Sequence, residues 1–284
     1  MLMIGQNVHP EYKLIIAANR DEDVRRPTEE AHWWNEPRRI LAGKDGMAGG
    51  TWLGITDLGR LAALTNYWGD METRSEAPSR GGLVSGFLRS TLTAPDYVRH
   101  LEQLGDAQGG PQTGKTTAEE KRPTRSRYNG FNLLLGSVDE LWYYTNAENV
   151  RSPGPTFRPP AVGEAQRLSP GIHVISNEVL DSPWPKAEQA RHMLKQLIQG
   201  GTLSPHTLLA LLDTCDEAAR QTEGSLPHEE ARELAKSSIR IRFPRFATRS
   251  STVVLVDYKN RVRFIEMTYA PRRVNDFSFG ISAF

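Results

Sequence analysis

Asn19-Arg20-Asp21-Glu22 sets four consecutive polar or charged side chains directly behind an apolar run, Leu14 to Ala18. Two chemistries fit that string. As a solvated turn, Arg20 pairs with Asp21 or Glu22 at the surface and contributes little to stability. As a site, an arginine and a carboxylate are held at the mouth of a pocket by the strand behind them, where they bind a carboxylate, a phosphate or an amide. The short string alone favours the turn.

Other chemistry-bearing residues carry less. Gly109 to Thr116 spells Gly-Gly-Pro-Gln-Thr-Gly-Lys-Thr and fits the phosphate-loop pattern. A working phosphate loop leaves a buried strand and opens a helix; here the flanks are polar, so the match is read as a decoy. The seven histidines, His9, His32, His100, His173, His192, His206 and His228, show no metal-ligand spacing, and no metal is expected. His9 and His173 are each read as hydrogen-bonding at a turn or strand end, with ligation of haem iron as the alternative. There is no G-x-S-x-G elbow. Cys215 sits in a leucine-rich helix and is read as a small buried apolar residue rather than a nucleophile.

The elements that must position these residues follow from their patterning. Leu14 to Ala18 suits a strand buried on both faces. Three hairpins are expected: Thr51 to Thr56 with Arg60 to Asn66, Phe131 to Leu135 with Leu141 to Thr145, and Ser251 to Asp257 with Val262 to Thr268. Helical spacing marks Gly82 to Thr91, Ala94 to Leu104 and Pro183 to Gln199, which Gly200-Gly201 stops. Ser204-Pro205 opens a further helix towards Cys215. Residues 1–271 read as a single domain carrying a mobile loop at about 105–127. Arg151 to Pro160 reads as an extended proline-rich stretch, and residues 272–284 as a C-terminal tail of low pattern.

Composition limits the partners. Thirty-five Lys and Arg against 34 Asp and Glu leave a formal charge of +1, so no global field recruits nucleic acid or an anionic membrane. The single cysteine leaves no intrachain disulfide, which suits a reducing compartment and makes the cytoplasm the expected location. No secretory leader and no transmembrane segment are expected. Oligomeric state is not legible.

The order and spacing of several blocks carry a resemblance. They are Ala17-Ala18-Asn19-Arg20-Asp21-Glu22, Arg26-Pro27, Gly49-Gly50-Thr51-Trp52-Leu53-Gly54-Ile55, Leu61 to Tyr67, Ser79-Arg80-Gly81 and Tyr128 to Leu133, then Ile175-Ser176-Asn177, Pro183-Trp184-Pro185-Lys186 and Thr248 to Thr252. In these the chain resembles the NRDE family, which includes the transport and Golgi organisation 2 proteins. The resemblance implies an α+β fold like that of N-terminal-nucleophile hydrolases, a four-layer αββα sandwich of two antiparallel sheets flanked by helices. In such hydrolases residue 2 is Cys, Ser or Thr and its α-amine is the general base. The resemblance assigns Arg20 and Asp21 to the site, Asn66 or Asn177 as an oxyanion donor, and Arg249 as a pocket residue.

Family members typically begin Met-Cys, whereas this chain begins Met1-Leu2-Met3. Aligned on His9-Pro10, the expected cysteine falls before Met1. No catalytic residue is therefore named, and whether the protein is an enzyme stays open. The resemblance implies instead a small-molecule carrier for haem or an acyl-CoA or lipid-like amphiphile, with no cofactor required and haem entering only as cargo. The expected pocket comprises Asn19, Arg20, Asp21, Glu22, Trp52, Asn66, Asn177 and Arg249, with Trp33, Trp34, Tyr67 and Trp68 as further candidates for its apolar wall. The alternatives are an amidohydrolase whose Cys is missing from this start and an interaction scaffold in membrane traffic.

Overall fold

The structure, a computed structural model, describes residues 1–36, 38–69, 74–104, 127–147, 164–215 and 228–282. Two compact units emerge, each built on one antiparallel sheet. The first holds Met1–Glu30, Ser169–Ser176 and Asp181–Ile281; the second holds Ala31–Leu168 and Asn177–Leu180.

In the first unit six strands run in the order β10 (Gly171–Ile175), β1 (Leu2–Gln6), β2 (Tyr12–Asp23), β11 (Phe246–Asp257), β12 (Arg261–Tyr269) and β13 (Arg272–Gly280). β2 is central, buried from Lys13 to Arg20. That explains its unbroken apolar run: a strand covered on both faces has no solvent side to mark with polar residues. On one face Met3, Ile15, Ala17, Val253 and Leu255 pack against two helices, α3 (Pro185–Gln199) and α4 (Pro205–Leu212), through Ala190, Leu194, Leu208 and Leu212. The alternate residues Ile4, Leu14, Ile16, Val254 and Val256 are equally buried. A third helix, α5 (His228–Ser237), belongs to the same unit.

The helix boundaries have local causes. α4 opens with Pro205 in its first turn behind a reciprocal capping box between Ser204 and Thr207. α3 ends at Gly200-Gly201, and Gly201, at φ 63°, takes the left-handed conformation that stops a helix most cheaply.

In the second unit seven strands run β3 (Thr28–Trp34), β4 (Ile40–Asp45), β5 (Leu53–Thr56), β6 (Arg60–Asn66), β7 (Phe131–Ser137), β8 (Leu141–Thr145) and β9 (Gln166–Arg167). Ala42, Ala62, Leu133, Leu135 and Tyr144 pack under α1 (Gly81–Arg89) and α2 (Ala94–Leu104), through Leu83, Phe87, Leu88, Val98 and Leu101.

The α+β class with two antiparallel sheets flanked by helices is as expected, and so are the three hairpins, in the registers Leu53↔Ala63, Leu134↔Tyr143 and Val254↔Phe264. The segment read as a C-terminal tail differs. Arg272 to Gly280 is a full strand, laddered on β12 from Tyr269↔Arg272 to Arg261↔Gly280. Its sequence hid this because an edge strand keeps one face in water, and Arg272, Asp276 and Ser278 stand there instead of apolar residues. The phosphate-loop string read as a decoy, most of the 105–127 loop and Arg151 to Pro160 lie outside the described residues.

Candidate functional site

The Asn-Arg-Asp-Glu string lies near the end of β2, and strand alternation deals its side chains to opposite faces. Asn19 and Asp21 point to the face that carries the helices, Arg20 and Glu22 to the other. The four residues therefore build two adjoining clusters rather than one wall.

On the helix face every polar group of Asn19 is used. Its Nδ2 donates to the carbonyls of Leu212 and Ile239, both at 2.9 Å, and its Oδ1 accepts from Ser251 Oγ at 2.6 Å. Ser251 Oγ lies 2.8 Å from the Tyr269 hydroxyl. Asn19 thus pins the end of α4 to the sheet. Beside it Thr248 Oγ1 donates to Asp21 Oδ1 at 2.6 Å and accepts from the Ile241 amide at 2.9 Å.

Two amines share this face with Asp21. Lys186, in the first turn of α3, has 0% of its surface exposed. Removal from water lowers its pKa from 10.5 to about 8, against the attraction of Asp21, which raises it. A cation in a helix's first turn also faces the positive end of the dipole, so burial and position both oppose its charge. Its Nζ lies 5.7 Å from the centre of the Trp184 ring, which Lys236 also approaches at 5.6 Å. The α-amine of Met1 is buried as well and donates to the Asn19 carbonyl at 3.1 Å. Desolvation brings its pKa from 8.0 to about 6, with Asp21 raising and Lys186 lowering it.

On the other face Arg20 is held at 8% exposure. Its NH1 donates to Thr28 Oγ1 at 3.0 Å, and Glu22 stands 3.8 Å from both Arg20 and Arg26. A bulge between Thr248 and Ser250 takes Arg249 out of the β2–β11 register, and its guanidinium donates to the carbonyls of Asp23 and Arg26 at 2.9 and 3.2 Å. Ser250 lies directly opposite Arg20, and its buried hydroxyl has no hydrogen-bond partner among the described residues. Arg20 and Arg26 both approach Glu22, while the neighbouring Asp23 is taken by Arg25 at 2.7 Å.

The remaining expected pocket residues belong to the second unit. Asn177 Nδ2 donates to the Asn66 carbonyl at 3.1 Å, and the Asn177 carbonyl accepts from the Trp68 amide at 2.7 Å. Trp52 is half-buried there. Among the other aromatic candidates Trp34 and Tyr67 are buried, Trp34 donating to the Ala42 carbonyl at 3.0 Å, and Trp33 lies under Arg39, 4.6 Å from its ring. His9 caps a turn, its Nδ1 accepting from the amides of Glu11 and Tyr12. Among the described residues no group of three His, Cys, Asp or Glu side chains is placed to hold a metal, and no helix is long and apolar enough to cross a membrane.

The sequence pattern of the family described as Transport and Golgi organisation 2 matches residues 1–271. The chain belongs to that family. The bovine (Bos taurus) Transport and Golgi organization protein 2 homolog is 33% identical, with 90% of this chain and 86% of the relative covered. The Homo sapiens homolog is 30% identical over the same shares. Among solved structures, a Caenorhabditis elegans N-acylethanolamine-hydrolyzing acid amidase ortholog is similar at a TM-score of 0.46 and 10% identity, covering 89% of this chain and 92% of its own.

Reading the family blocks residue by residue missed Lys186, Thr248, Ser251 and Tyr269 as neighbours of the string. A signal existed for the first. A lysine directly after a proline that opens a helix is badly placed electrostatically, which asks for a carboxylate nearby.

Proposed function

We propose that this family member binds and carries a small molecule with a large apolar body and anionic groups, of the haem or acyl-CoA-like kind, using Arg20 as the charged anchor. The observation that supports this is the guanidinium of Arg20, held almost out of water and sharing Glu22 with Arg26, with the unpartnered Ser250 hydroxyl directly opposite it on β11. Arginine in a fixed position offers a planar fork suited to a carboxylate or phosphate. The proposed location is the cytoplasm, in keeping with the single cysteine.

Titration of haem and of palmitoyl-CoA into the wild type and into Arg20→Ala tests the reading. Loss of roughly tenfold or more in affinity for either ligand, with melting temperature little changed, is the expected result. Affinity and melting temperature falling together would make the string structural.

A second reading, amide hydrolysis by an N-terminal nucleophile, draws on the Met1 amine. With a pKa near 6 it is mostly neutral at pH 7 and fit to accept a proton. The chain as it stands supplies that base beside Asp21 without a thiol or hydroxyl at residues 1 or 2. A β-lactone probe followed by intact-mass analysis, on this chain and on one in which Cys is placed immediately ahead of Met1 as the mature first residue, tests it. Acylation of the added cysteine is expected; labelling confined to Cys215, or none, would reject it.

A further inference from the structure

β13 is the outermost strand of the first unit's sheet, and the helices of that unit pack on β10, β2 and β11 rather than over it. Its burial alternates. Asn275, Phe277 and Phe279 are half-buried, with Asn275 bound to Glu30 and Phe277 against the Phe264 ring. Arg272, Val274, Asp276 and Ser278 share the opposite, exposed side, and Val274 shows 57% of its surface to solvent. The strand also begins at the residue after the family match ends, so what it does is a property of this chain rather than of the family pattern.

We propose that β13 pairs antiparallel with β13 of a second copy of this chain, about a two-fold axis at Val274. The occupant follows from charge. In a two-fold strand pair the partners of residues i and j sum to a constant, and side chains directly opposite share a face. Centred on Val274, each Arg272 stands opposite the other copy's Asp276, so both ends of the contact carry an opposite-charge pair, and the two exposed valines meet on the axis. Centred on Asp276, the two carboxylates would face each other. The strand is thus self-complementary in one register and self-repelling in a neighbouring one, which an unrelated partner strand has no reason to match. Asp276 is already oriented for the role, held by Arg263 through contacts of 3.2 and 2.8 Å. The paired edge would extend two six-stranded sheets into one and cover the open row of N–H and C=O groups that a free edge presents.

Sedimentation equilibrium of the full chain, from low to hundred-micromolar concentration, is expected to show a reversible dimer. Val274→Lys, which sets two ammonium groups against each other on the axis, is expected to give monomer. Arg272→Asp is expected to weaken association by roughly tenfold or more, and the double variant Arg272→Asp/Asp276→Arg to recover it. All of these side chains are exposed, and the thermal transition of each variant reports that it folds. A monomer at every concentration, a dimer that neither Val274→Lys nor Arg272→Asp weakens, or no recovery in the double variant would overturn the proposal.

Discussion

Two buried basic groups in the first unit behave in opposite ways. His173, on β10 and 5% exposed, has both ring nitrogens opposite acceptors: Nδ1 lies 2.8 Å from Asp181 Oδ2 and Nε2 lies 2.9 Å from the Ser169 carbonyl. Desolvation lowers its pKa, but the hydrogen bond and charge of Asp181 and the Ser169 carbonyl outweigh it, so the net shift is upward even with Arg191 opposing. Lys186 is more deeply buried, and there desolvation wins. The difference lies in the partners. Asp181 sits at φ 57°, a backbone conformation that turns its carboxylate back onto β10, where Oδ1 accepts from the Val174 amide at 2.9 Å and from Arg191 at 2.8 Å. Asp21, by contrast, divides its influence between Thr248, Lys186 and the Met1 amine. A network that saturates its charges is a fastening; a buried amine left poised to lose its proton beside a carboxylate is a pattern common at functional sites.

Breaking the fastening gives the largest expected effect. Asp181→Ala leaves the His173 ring, a guanidinium and the Val174 amide without their shared acceptor, at a cost of about 3–5 kcal/mol. It also asks a residue with a Cβ and no polar side chain to hold a left-handed backbone. Urea denaturation at pH 7 measures the loss. A change below about 1 kcal/mol would place His173 and Asp181 with the poised groups rather than the fastened ones.

The pH dependence of stability sharpens the contrast, because the two signs are opposite. Lys186 has a folded pKa depressed from 10.5 to about 8, so between those values the unfolded chain holds more protons and stability rises with pH, by something on the order of 3 kcal/mol in total. His173, raised above 6.5, contributes stability that is complete below 6.5 and is lost as pH climbs through its folded value. The Met1 amine, lowered from 8.0 to about 6, adds a rise across that interval, so the His173 contribution is read as the difference between wild type and His173→Gln. Lys186→Met is expected to erase the rise between pH 8 and 10.5 while leaving stability at pH 7 unchanged or higher, since an apolar isostere escapes the penalty of a buried charge. A strongly destabilised Lys186→Met protein would show that the lysine is a fastening too.

How far the sequence reveals this arrangement depends on where each signal comes from. β2 and the three hairpins are legible because burial on both faces, or the turn between paired runs, writes itself locally. β13 is hidden by its solvent-facing Arg272 and Asp276, and β3 by the charged and polar residues Thr28, Glu29, Glu30 and His32 that precede Trp33. The division of Asn19 and Asp21 from Arg20 and Glu22 was available from the period-two rule once β2 was placed. The awkward place of Lys186 in a helix's first turn was visible as well, but its depressed pKa was not, because that arises from tertiary burial, which no spacing encodes. His9 and His173 do serve as turn and strand hydrogen-bonders, but that both nitrogens of His173 find acceptors comes from the left-handed turn at Asp181.

The smallest expected effect separates stability from binding most cleanly. The Ser250 hydroxyl is buried opposite Arg20 with no partner among the described residues, so it already bears the cost of desolvation with no hydrogen bond in return. Ser250→Ala removes that cost and is expected to shift stability by less than about 0.5 kcal/mol or to raise it slightly. A fastening such as Asp181 has no such variant, since every one of its contacts is used. If the hydroxyl instead waits for an anionic ligand held by Arg20, the same substitution lowers affinity for haem or palmitoyl-CoA several-fold, the loss of one hydrogen bond worth about 1 kcal/mol. Unchanged affinity with raised stability would mean that the unpartnered hydroxyl is a flaw of packing, and would move the anionic group away from the β2–β11 face.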